Sequence, residues 1–129
     1  MKANRQLIFD KFNGQCAYCG CELQKGWHVD ELLPCKRIMA YDREKRKWVW
    51  SGKYEHPERL TIDNQMPACA SCNINKHSLP LESFRNLISG FINSLNRDSV
   101  QYKIAKRYGL LQEIEKPVVF YFEKEIQQQ

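Results

Sequence analysis

Two C-x-x-C pairs, Cys16–Cys19 and Cys69–Cys72, lie 49 residues apart, and no other feature constrains the fold as strongly. Each short loop offers two sulfurs from one turn, and four thiolates satisfy the tetrahedral preference of zinc. The intervening chain must therefore fold back, as strands or loops, to bring both turns to one point. A disulfide framework would suit a secreted chain with little other core. Here 43% of the residues are hydrophobic, enough for a packed core, so a zinc site in a reducing cytoplasm explains the spacing better. The plainer alternative is a set of ordinary buried cysteines, and the leftover Cys21 and Cys35 are read as small buried or partly exposed thiols. A closed sulfur quartet supplies folding energy and leaves no position for substrate, so any chemistry must lie elsewhere.

With 129 residues the chain is expected to form a single domain, 1–129, that buries roughly two-thirds of its unfolded surface. No apolar run approaches the ~20 residues needed to span a bilayer. Lys2, Arg5 and Asp10 interrupt the first segment, so no signal peptide is expected, and no membrane partner is expected either. Twenty Lys and Arg against fifteen Asp and Glu give a net charge of +5, which admits a polyanionic partner without requiring one.

The periodicity predicts a helix over 4–12, ended at Gly14, and a tight knuckle at Cys16-Ala17-Tyr18-Cys19-Gly20. A strand is expected over Trp27 to Leu33, closed by Pro34. Residues 36–53 read as less regular, with a short strand at Trp48-Val49-Trp50, and 54–61 as a loop broken by Pro57. Cys69 to Lys76 suits a short helix. The clearest helix runs from Pro80 to Leu95, with Leu81, Phe84, Leu87, Ile88, Phe91 and Leu95 on one face and Gly90 weakening its interior. Another is expected from Asp98 as N-cap to Tyr108, with Gly109 as its left-handed terminator. Val118 to Phe122 reads as a final strand. No internal repeat is present.

A second pattern surrounds the cysteines: Asp30-Glu31-Leu32-Leu33-Pro34, then Asn64, then Asn73 directly after Cys72, and Lys76. With both C-x-x-C pairs, this order resembles the HNH endonucleases, the zinc-stapled ββα-metal type common in bacteria and phages. The resemblance covers Phe12 to about Ser83 (a core over 12–83, with 84–129 as a helical extension packed on it), and the later helices are similar to the tail of small phage-type members. It implies an α+β fold with a four-cysteine zinc site, C-terminal helices and a short terminal strand. It also implies a hydrolase that cleaves phosphodiester bonds in DNA. By carry-over, Asp30 and Asn73 would hold a divalent metal, Asn64 would orient the loop, and Cys16, Cys19, Cys69 and Cys72 would hold structural zinc. Oxygen ligands of this kind suit Mg2+ or Mn2+.

One position departs from the family. Glu31 stands where the family has its catalytic His, the base that deprotonates the attacking water. A carboxylate can accept that proton, but its ordinary pKa near ~4.3 lies about two units under that of imidazole and weakens the driving force. The resemblance therefore implies a slow nuclease, or a catalytically silent relative that binds DNA or a protein; Glu31 could also join Asp30 as a metal ligand. His28, three residues away, reads as a routine strand histidine. Basic residues next to aromatic ones make a candidate nucleic-acid surface: Lys36, Arg37, Arg43, Lys45, Arg46 and Lys47 before Trp48 and Trp50, extended by Lys76. Nothing in the pattern indicates sequence preference or oligomeric state.

Overall fold

The computed structural model describes residues 2–128. In chain order the elements are α1 (Lys2–Asp10), β1 (His28–Glu31), β2 (Arg37–Asp42), β3 (Lys47–Tyr54), β4 (Gln65–Ala68), α2 (Ala70–Lys76), α3 (Leu81–Ser89), α4 (Phe91–Asp98), α5 (Val100–Arg107) and α6 (Tyr121–Gln128). The architecture is α+β, with two small antiparallel sheets. Residues up to Leu81 and those from Phe120 onward form one compact unit, and Glu82–Val119 form a second.

In the first unit, β1 and β4 pair antiparallel, with Asp30 opposite Met66 and Glu31 opposite Gln65. α2 follows β4 almost at once, so β1, β4 and α2 make a strand–strand–helix unit. The rest of the chain between the strands is largely the β2–β3 hairpin, inserted after Cys35. The core comprises Ile8, Cys16, Ala17, Tyr18, Leu23, Cys35, Met66, Ala68 and Phe120, all buried. Gly14 takes a φ of +81°, and a Cβ there would come within 2.9 Å of the Phe9 ring, so only glycine lets α1 turn into the knuckle.

The knuckle is closed by Cys16 N–H donating to the Cys21 carbonyl and Gly20 N–H to that of Cys16. It is held to β4 by Ala17 N–H donating to the Pro67 carbonyl at 2.8 Å. The last helix meets it as well. Tyr121 and Phe122 donate their backbone N–H groups to the Tyr18 and Ala17 carbonyls, and Phe120 N–H is capped by the Glu123 carboxylate at 2.8 Å. These bonds explain why the expected terminal strand over Val118–Phe122 is absent and a helix starts at Tyr121. The first-turn amides find acceptors on the knuckle and in a capping-box carboxylate, whereas a strand would have no partner strand here.

Two further expectations are corrected. Residues 37–54 form an antiparallel hairpin, with Tyr41 opposite Trp48, Met39 opposite Trp50 and a register shift between Ile38 and Met39. The first strand stops at Glu31 instead of Leu33: Leu32 N–H makes a last cross-strand bond to the Asn64 carbonyl, but Asn64 N–H turns back to the Thr61 carbonyl and Leu33 N–H is taken by the Asn64 side chain.

In the second unit, the helix expected over 80–95 is divided at Gly90 into α3 and α4. Of its expected apolar face only Phe84 is buried. The next helix is capped by Ser99, whose hydroxyl accepts from Tyr102 N–H, and not by Asp98; it ends as expected at Gly109, with a φ of +73°. Arg85 donates to the Val118 carbonyl at 2.7 Å and pairs with Glu82, and Lys106 pairs with Glu113 at 3.1 Å.

Candidate metal centre and active site

The two C-x-x-C turns meet. The sulfurs of Cys16, Cys19, Cys69 and Cys72 all lie within 4.8 Å of one another, and none of the six cysteines is disulfide-bonded. A tetrahedral ion with zinc–sulfur bonds of about 2.3 Å has sulfur–sulfur edges of roughly 3.8 Å. The Cys19–Cys69 separation is 3.8 Å. The quartet could therefore hold a metal such as zinc with little rearrangement.

Backbone amides favour negative charge on two of these sulfurs, Cys69 and Cys16. Cys69 is the N-cap of α2, and its sulfur accepts from Cys72 N–H at 3.4 Å, while Cys16 Sγ accepts from Cys69 N–H at 3.4 Å. The Cys16 thiol is brought down to about 4, chiefly by a bond from the Cys72 side chain, against the burial that raises it and with help from the backbone amides of Cys69, Cys19 and Tyr18. Cys72 is pushed up, first by its bond to Cys16 and then by burial. A bound divalent ion would hold all four sulfurs as thiolates. Outside the quartet, Cys21 has its thiol pushed up to about 12 by desolvation and then by bonding to the Cys19 and Cys69 sulfurs.

The second candidate centre is Asp30, on the buried face of β1. Its Oδ2 accepts from the Tyr18 hydroxyl and pairs with Lys76 Nζ at 3.0 Å. The Lys76 ammonium is fully enclosed, 5.8 Å from the centre of the Tyr18 ring, and also donates to the Glu31 carbonyl at 2.8 Å. Knuckle, strand and helix thus converge on one carboxylate. Burial and the Asp30 charge push the Tyr18 hydroxyl far above its ordinary range, so it remains a donor. The geometry removes Lys76 from the expected nucleic-acid surface: a lysine with no solvent contact cannot reach a phosphate, and its charge is spent on Asp30. Lys36, Arg37, Lys45, Arg46 and Lys47 are exposed.

Asn73 is half-buried on α2, one turn before Lys76 and on the same side of the helix. Glu31 is half-buried and folded back, its Oε2 accepting from Cys35 N–H at 2.8 Å. The Cys35 thiol is pushed up to about 12 by desolvation and by its bond to Glu31. Asn64 is buried and clasps the turn after β1, accepting from Leu33 N–H at 2.8 Å and donating to the carbonyls of Leu33 and Arg59 at 2.9 Å. His28 is exposed at the start of β1.

Sequence reasoning missed three supporting groups. Tyr18 orients Asp30. Lys11 donates to the carbonyls of Ile62 and Gln65 beside Asn64, at 3.1 and 2.7 Å, with its pKa lowered by burial. Arg59 donates to the Pro34 carbonyl at 2.8 Å. The enclosed aromatic between two cysteines was the one signal available for Tyr18; for the other two there was none.

The chain is 30% identical over 81 residues to the "SPbeta prophage-derived putative HNH endonuclease YoqL" of Bacillus subtilis (strain 168). The match takes in 63% of this chain and 31% of that protein, so the chain spans about a third of the length of the curated relative it matches. No family model and no solved structure matches the chain. Among the described residues, no helix is long and apolar enough to cross a membrane.

Proposed function

We propose that the chain is an HNH-type endonuclease that hydrolyses phosphodiester bonds in DNA with a divalent metal, on a core stapled by zinc at the four cysteines. The reading is carried by one arrangement: β1 pairs with β4, α2 follows β4 to complete a strand–strand–helix unit, and Asp30 of the first strand is tied to the helix through Lys76. The likeness to the prophage-derived relative supports it.

The zinc-binding quartet is closed and so serves folding. For the second metal, the donor set is Asp30 and Asn73, a carboxylate and an amide oxygen, which fits a hard cation such as Mg2+ or Mn2+. Both side-chain bonds of Asp30 fall on Oδ2, leaving Oδ1 for that cation. Such a cation polarises the scissile phosphate when bound. Tyr18 and Lys76 fix the carboxylate, and Asn64 holds the turn that carries Glu31. Glu31 accepts the proton of the attacking water. Because Lys76 already neutralises much of Asp30, the cation is held weakly, and the carboxylate base makes the reaction slow.

One observation favours the silent binding module instead: Glu31 is already engaged by Cys35 N–H, and its charge opposes an incoming phosphate. A plasmid-nicking assay on the zinc-loaded chain with Mg2+ or Mn2+ separates the two readings. The nuclease reading expects nicking that stops with chelator, is lost in Asp30→Asn and rises in Glu31→His, by up to the ~10²–10⁴-fold a positioned base supplies. No nicking with either metal by folded, zinc-loaded protein would overturn it, as would parental activity in Asp30→Asn.

A further inference from the structure

The β2–β3 hairpin carries the charge of the protein. Residues 36–53 hold seven Lys and Arg (Lys36, Arg37, Arg43, Lys45, Arg46 and Lys47, with Lys53) against Asp42 and Glu44, a net charge of +5. The whole chain is also +5, so everything outside these 18 residues is electrically balanced. Even within the arm one acid is engaged locally, since Asp42 Oδ1 accepts from the backbone N–H groups of Glu44 and Lys45 and shapes the tip. Arg46 completes the tip with a φ of +54°.

One face of this hairpin is aromatic. In register, Tyr41 lies opposite Trp48 and Met39 opposite Trp50. Trp50 is already engaged: the Arg37 guanidinium lies 4.7 Å from its ring centre, the Tyr54 ring lies 5.2 Å away, and its Nε1 donates to the Lys53 carbonyl. Trp48 is far less so. It is 65% exposed, Tyr41 is 51% exposed, and the two meet edge to face at 5.6 Å, which leaves ring faces open. Two adjacent aromatic rings with this exposure, within a basic arm, offer a surface on which planar bases can stack.

We infer that this arm grips an unpaired nucleic-acid strand, with bases stacked on Trp48 and Tyr41 and phosphates held by Arg43, Lys45, Arg46 and Lys47, while Trp50 serves to stiffen the arm. Charge complementarity selects a polyanion. The open rings select one whose base faces are accessible, and a duplex hides those faces inside its own stack. The inference rests on the nucleic-acid part of the reading above but requires no cleavage.

The test is equilibrium binding of a labelled oligothymidylate to the zinc-loaded chain without added Mg2+ or Mn2+, beside a blunt duplex of equal length and vesicles containing phosphatidylserine. The expected result is tighter binding of the single strand than of either competitor. Trp48→Ala should weaken it by roughly 10- to 100-fold and Tyr41→Ala comparably, with Trp48→Phe largely retaining it. Replacing Lys45, Arg46 and Lys47 together by Gln should lower the slope of log affinity against log salt by about 2. Zinc content equal to the parent verifies that each variant is folded. The inference is overturned if the duplex binds as tightly, if Trp48→Ala binds like the parent, or if only the vesicles bind. Binding of the strand without plasmid nicking leaves the arm standing and removes the nuclease; nicking without strand binding does the reverse.

Discussion

Lys76 and Asp30 form an ion pair at 3.0 Å in which the ammonium has no solvent contact and the carboxylate very little. Removing one partner strands the other charge in a desolvated site. Lys76→Met is expected to destabilise the first unit by about 3–5 kcal/mol, and Lys76→Met combined with Asp30→Asn by clearly less than the two single changes together. Denaturant unfolding of the four proteins measures this. Additive effects would show that the pair is not coupled.

Metal binding at the sulfur quartet should decide whether the first unit folds. The apparent free energy of a four-thiolate zinc site, ~10–16 kcal/mol, matches or exceeds the whole stability of a typical domain. Chelation, or Cys16→Ala or Cys72→Ala, is therefore expected to abolish stoichiometric zinc and collapse the native circular dichroism. A chain that keeps both its fold and its zinc without Cys16 would contradict the assignment.

Cys35 gives a pH-dependent signal. Its folded-state pKa, about 12, is raised from an ordinary value near 9. Below pH 9 both states hold the proton and the contribution to stability is fully present. As pH rises toward 12, the unfolded chain releases its proton and the folded chain does not, so that contribution is progressively lost. Cys35 is thus expected to resist alkylation in native protein up to strongly alkaline pH and to react readily once unfolded. Peptide mass spectrometry after timed labelling measures both. Rapid native labelling at pH 9 would refute it.

Asn64 bridges Leu33 and Arg59 with three hydrogen bonds. Asn64→Ala removes all three and leaves Leu33 N–H short of a partner, so a loss of roughly 2–4 kcal/mol is expected. Any cleavage activity should fall along with the ordering of the turn, and hydrogen exchange at Leu33 should accelerate. Unchanged exchange there would separate Asn64 from the turn.

Much of this was readable from residue order because it is local. Two C-x-x-C turns need only a few neighbouring dihedrals to present paired sulfurs, and the prospect of one tetrahedral ion explains why such distant turns meet. The Cys69–Lys76 helix and the Gly109 terminator likewise follow from capping chemistry within a few residues. What the sequence could not convey were matters of partnership. Val118–Phe122 has strand composition, yet its amides meet the carbonyls of Ala17 and Tyr18 and start a helix. Lys76 has the composition of a phosphate contact, yet the packing of α2 on β1 encloses it against Asp30. The basic run 36–53 looked irregular because both faces of its hairpin carry mixed polar and apolar residues, and only cross-strand register shows which aromatic rings lie open. The sequence alone determined where the sulfurs would be and how the short helices end, because sterics and capping act over a few residues. Tertiary structure decided which charges are enclosed and which rings are open, because burial depends on neighbours tens of residues away.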